Sequence, residues 1–125
     1  MTVYIAFGTG VTGKIIIQVL IEQAKHLDLL GHSRCVEEAI SVTVRQKPEL
    51  LILEDTLIDG RGIDVVQQVI GGTLTPVIIM ISTNVPPPLP PDYESQGIDL
   101  WYQLPQETEQ LRSTLRRISD KNDNV

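Results

Sequence analysis

Residues 48–62 read PELLILEDTLIDGRG. Leu50–Glu54 within it is an unbroken apolar run closed by an acid, with no polar alternation. A strand of that kind is expected where a sheet is covered on both faces. The run ends on adjacent carboxylates, Glu54 and Asp55, and a helix is predicted from about Gly62 to Ile70, stopped by Gly71-Gly72. A strand whose acidic end is followed closely by a helix is one unit of an alternating α/β chain.

The same unit recurs on either side. Val3–Phe7 (VYIAF), Leu29–His32 (LLGH), Pro76–Ile81 (PVIIMI) and Leu100–Leu104 (LWYQL) supply four further strands. Thr12–Lys25 reads as a helix with Ile15, Ile16, Val19 and Leu20 on its apolar face. Ser33 is placed to cap a second helix, with Val36, Ala39, Ile40 and Val44 inward and Lys47-Pro48 ending it. A last helix spans about Glu107–Ile118, with Leu111, Leu115 and Ile118 inward.

The alternation predicts one domain over residues 1–119 and a polar tail at 120–125. Its fold is a five-stranded parallel sheet of flavodoxin-like order 2-1-3-4-5, with helices on both faces. Sites in such sheets lie at the C-terminal strand ends. Here those ends carry Phe7-Gly8, Glu54-Asp55, Ser82-Thr83 and Leu104-Pro105. The fourth crossover breaks the pattern. It reads NVPPPLPPDYESQG, and five prolines between 86 and 91 forbid a normal helix, leaving at most one turn around Tyr93–Gln96. PPPLPP is either a rigid docking strip, with Pro88 and Leu89 at its centre, or a stiff surface crossover.

Composition removes several functions. The 125 residues carry a net charge of −6. The few basic residues that cluster (Arg112, Arg116 and Arg117) lie near the end of the last predicted helix, where they oppose its dipole, so no nucleic-acid partner is expected. One cysteine, Cys35, forms no internal disulfide framework, and His26 and His32 lack the spacing and partners of a metal site. No apolar run is long enough to cross a membrane, and MTVYIAFG reads as a strand, not a leader. The chain is expected in the cytoplasm.

The order of these pieces resembles the response-regulator receiver domain, the CheY-like family of two-component signalling. Pro48–Gly62 is similar to its central motif P-D-L-V-L-L-D-x-x-L-P-x-x-x-G, Thr75–Ser82 to its fourth strand, and Gly97–Pro105 to its G-A-x-x-Y-x-x-K-P segment. The resemblance implies where phosphoryl chemistry would sit. Glu54, eight residues before Gly62, falls on the phosphoacceptor aspartate. Phe7 and Gly8 fall on the acidic pair that holds Mg²⁺, Ile81 on the Ser or Thr and Leu104 on the Lys that bind phosphoryl oxygens. Mg²⁺ needs several hard oxygen ligands, and an apolar Leu104 neutralises no phosphoryl charge. A one-residue slip that brought Asp55 into the acceptor place would reverse the faces of the buried strand. The resemblance therefore implies a degenerate pseudo-receiver that is not an enzyme and takes no cofactor or metal. Glu54 is either a permanent imitation of a phosphoryl group, with neither Lys nor hydroxyl to read it, or a solvated strand-end acid.

The loop Phe7–Ile15, FGTGVTGKI, admits a different class of function. Gly8, Gly10 and Gly13 fit the dinucleotide pattern G-x-G-x-x-G, and Ser33-Arg34 stands where a 2′-phosphate is read. A second βαβ half has no room in this length. Ile15 replaces the Mg²⁺-binding hydroxyl of a P-loop, and Phe7 replaces the first hydroxyl of a flavodoxin phosphate loop. In the receiver register these glycines form a flexible turn. The leading reading is a module that signals by protein–protein contact, with a sensor kinase, an output protein or a second copy as partner. The chain has one Trp, three Tyr and one Phe, and two of these stand together as Trp101-Tyr102 at the family's switch and interface position. One of the pair is expected inward and the other exposed. The alternative is a small flavodoxin-like or Rossmann-like protein binding FMN or NADP at Gly8–Gly13.

Overall fold

The computed structural model describes residues 1–8, 11–70, 75–83 and 93–123. Gly10, the Gly71-Gly72 stop and the docking positions Pro88 and Leu89 lie outside the described residues. The main strands are β1 (Thr2–Ala6), β2 (Asp28–Ser33), β3 (Leu50–Glu54), β6 (Val77–Ser82) and β7 (Leu100–Gln103). They form one parallel sheet in the order β2-β1-β3-β6-β7, which is the expected 2-1-3-4-5 arrangement. Between β3 and the next helix a short antiparallel ribbon, β4 (Thr56–Leu57) with β5 (Gly60–Arg61), stands where the sequence suggested only a loop.

The central run behaves as its composition requires. Leu50, Leu51, Ile52 and Leu53 are all fully buried. Successive side chains alternate between two cores. Leu50 and Ile52 pack with α1 (Val11–Gln23) and α4 (Thr108–Asp123), while Leu51 and Leu53 pack with α2 (Val36–Gln46) and α3 (Gly62–Val69). Each such side chain contributes roughly 1.5–3 kcal/mol relative to exposure. The fourth crossover carries only a 3-10 turn at Tyr93–Gln96 among its described residues.

Several helix faces differ from the sequence reading. In α1, Ile15 and Val19 are exposed, and Ile17, Leu20 and Ile21 form the buried face. Apolar residues occupy both 15–17 and 19–21, so the helix is apolar around most of its girth and periodicity selects no single face. In α2, Val44 is exposed and Thr43 is buried beside Ala39. Ser33 does not cap α2. It is the last residue of β2, paired with Ala6, and Cys35 takes the N-cap position without a side-chain capping bond. Asp59, from the β4–β5 turn, accepts the Val36 N–H at 2.6 Å instead. α4 continues through Asp123, so residues 120–123 are helical.

Trp101 and Tyr102 do not divide into one inward and one exposed member. Both are half-buried, on opposite faces of edge strand β7. Trp101, beside Met80, packs on the α2–α3 core, and Tyr102, beside Ile81, packs on the α1–α4 core. The Tyr102 hydroxyl is bonded to that of Thr114 on α4.

Candidate functional site

The crevice of this topology opens beside β1, where chain connections leave toward opposite faces of the sheet. Glu54 ends β3 at that point, in register with Ile81, so no slip brings Asp55 into its place. Asp55 continues the ladder, donating its N–H to the Ile81 carbonyl at 2.8 Å. Ile81 is wholly buried in the α1–α4 core.

Glu54 is not a solvated strand-end acid. It is 1% exposed. A buried carboxylate is tolerated only where hydrogen-bond donors replace water. Among the described residues, Gly8 and Thr83 do so. The Gly8 N–H meets Oε1 at 2.9 Å, and the Thr83 hydroxyl meets Oε2 at 3.1 Å. Thr83 stands among the strand-end residues read from the sequence, but the resemblance put the hydroxyl position at Ile81 and gave Thr83 no role. Strand residues two apart share a face, and the next position on the face of Ile81 is 83. Parity would have found it.

On the Thr83 side an open cleft of about 220 Å³ is lined by Thr12, Gly13, Ile16, Thr83, Leu104 and Pro105. Leu104 is 1% exposed and belongs to the α1–α4 core, so the floor of the cleft is apolar where a receiver would place a cation. The opposite side is closed by the β4–β5 hairpin. A Cβ at Gly8 would lie 2.5 Å from Leu57 Cα and 2.7 Å from the Ile58 nitrogen. Gly8 is thus a packed contact and not a flexible turn. Its carbonyl accepts from Arg34 Nη2 at 3.2 Å and Nε at 3.4 Å, and the Arg34 carbonyl accepts the Ile58 N–H at 3.1 Å.

No family model matches the sequence. No curated protein matches it either. Solved structures do. The response regulator domain of Thermotoga maritima CheB is similar over 100% of this chain and 97% of its own, at TM-score 0.78 and 14% identity. The response regulatory domain of mrkE from Klebsiella pneumoniae covers 100% of both chains at TM-score 0.79 and 12% identity. The fold is that of response-regulator receiver domains. A third receiver of this fold is the REC domain of RcsB from Salmonella enterica serovar Typhimurium, solved in the presence of phosphomimetic BeF3−. It has TM-score 0.76 and 17% identity, covering 94% of this chain and 88% of that one.

The receiver fold implies a Mg²⁺ ion at this edge, and the residues present do not fit one. Phe7 is a buried ring, Gly8 has neither side chain nor room for one, and both oxygens of Glu54 face hydrogen donors. Octahedral Mg²⁺ needs about six oxygens, few of them replaceable by hydrophobic walls. Among the described residues no group of three His, Cys, Asp or Glu side chains converges on a metal position. No described helix is long and apolar enough to cross a membrane.

Nucleotide binding by the glycine loop is not favoured by this geometry. The Gly8 N–H that would meet a phosphate is taken by Glu54, whose negative charge repels one. Gly13 faces Phe7 and the Thr83 methyl, where a Cβ would stand 3.4 and 3.2 Å away.

Proposed function

We propose that the chain is a phosphorylation-independent interaction module on the receiver fold, a pseudo-receiver acting by protein–protein contact in a two-component-type pathway. One observation carries the reading: the acid at the acceptor position is buried, with both oxygens already engaged by Gly8 and Thr83. An acceptor must present a free oxygen to the incoming phosphorus, and the transferred group must then be neutralised. Glu54 offers neither opportunity, and Leu104 brings no charge to the cleft. The module is a binding protein and not an enzyme, it uses no cofactor, and it works in the cytoplasm.

The Thr83 bond also favours the imitation reading of Glu54. The missing Lys stands at Leu104, but a hydroxyl does read the carboxylate. Glu54 is then a built-in anion that holds Thr83 permanently, as a phosphoryl group would hold it in a working receiver. The partner is a sensor kinase, an output protein or a second copy, met through the β7 edge that carries Trp101 and Tyr102. One domain over residues 1–119 serves this role.

Incubation with acetyl phosphate and Mg²⁺, read by intact mass, tests the proposal. No phosphoryl adduct is expected, while a stoichiometric adduct lost in Glu54→Gln would defeat it.

A further inference from the structure

Position 8 gathers three contacts that the absence of phosphoryl chemistry does not require. The Gly8 N–H points to Glu54, its carbonyl is held by the Arg34 guanidinium, and its missing side chain leaves room for the backbone of Leu57 and Ile58. We propose that Arg34 and the Gly8 backbone stand in for the cation of the receiver fold, with the β4–β5 hairpin sealing the place from which a carboxylate at position 8 would reach it. The proposal holds whatever partner the module binds.

The geometry makes this a single clasp. Arg34 contributes twice, through its side chain to Gly8 and through its carbonyl to the Ile58 N–H. Asp59, the next residue of the hairpin turn, is tied to the start of α2 at the Val36 N–H. The hairpin is thereby fixed to the β2–α2 junction at two successive residues. Leu57, buried at 3% exposure, is pressed over Gly8.

In the clasp, positive charge reaches the buried acid indirectly. A guanidinium on the Gly8 carbonyl fixes the residue whose N–H faces Glu54; the two groups belong to different peptide units, so Arg34 acts by holding Gly8 in place and by its nearby charge. Arg34 is therefore a positioning residue acting through Gly8. Backbone fills the space at position 8, so restoring an acid there does not restore a cation site. A contact of 2.5 Å to a Cα cannot be relieved by turning a side chain.

Three measurements decide the matter. In Mn²⁺ titrations followed by water-proton relaxation, neither the wild type nor Gly8→Asp should bind saturably up to ~10 mM, about tenfold above the weakest dedicated divalent sites. Saturable binding by either chain overturns the proposal. Because Gly8→Asp can fail to fold, Gly8→Ala is measured beside it. Its thermal midpoint should fall by about 10 °C, and an unchanged midpoint removes the steric seal. In Arg34→Ala, exchange of the Gly8 amide should quicken by roughly tenfold or more while β3 amides keep their protection. The Gly8 amide proton should also move upfield, as it should in Glu54→Gln. If neither its exchange nor its shift changes, Arg34 has no part in holding the site.

Discussion

The two oxygens of Glu54 face different surroundings. Oε1 meets a closed wall, where Gly8, Leu57 and Ile58 approach as backbone and Arg34 ties them together. Oε2 meets a side chain, Thr83, on the rim of an open cleft. On the wall, packed peptide leaves no room for a side chain at position 8. The rim offers a hydroxyl two residues beyond Ile81, the place the resemblance gives to the family's Ser or Thr, and an apolar Leu104. One side is filled by backbone, and the other opens into the cleft.

The contrast can be broken by substitutions placed on each side. The largest effect is expected at the wall, where Gly8→Ala should cost about 3 kcal/mol of stability in chemical denaturation, because backbone must move to admit the methyl. At the rim, Thr83→Val keeps the shape and removes one donor from a buried carboxylate, for a smaller loss of about 1–2 kcal/mol. If Thr83→Val costs as much as Gly8→Ala, the two sides are not different in kind. Glu54→Gln should cost about 1 kcal/mol, since the amide keeps the volume and the threonine hydroxyl can reverse its bond. The same variant should weaken partner binding if the built-in anion sets the signalling state, and unchanged affinity would retire that idea. The smallest effect belongs to Gly13→Ala. Its close neighbour is a side-chain methyl that can shift, and alanine gains up to about 1 kcal/mol of helix propensity over glycine. Denaturation midpoints close to wild type are expected there.

How much of this could be read from the sequence follows from the range of each interaction. Leu50–Leu53 announced a doubly covered strand because all four residues are apolar, and alternation of strands and helices with the flavodoxin-like order gave the arrangement of the sheet. Prolines 86–91 marked the interrupted crossover, and the turn at Tyr93–Gln96 lies where the proline run ends. The α1 face was illegible because Ile15 to Ile17 and Val19 to Ile21 offer too many apolar choices. The caps and the clasp were illegible for another reason. Asp59 reaches Val36 across 23 positions and Arg34 reaches Gly8 across 26, distances at which no local rule operates. Thr83 was legible by strand parity, and a motif count that stopped at Ile81 concealed it.

Whether this receiver fold accepts phosphoryl groups or their mimics is the property to measure first. Trp101, the single tryptophan, lies half-buried on β7 against the α2–α3 core and reports on that strand. Its fluorescence should be followed while Mg²⁺ and then beryllofluoride are added to the full chain. A flat trace at every concentration is the result predicted by a Glu54 already engaged by Gly8 and Thr83. A saturable change that disappears in Glu54→Gln would contradict it and return the chain to the working receivers.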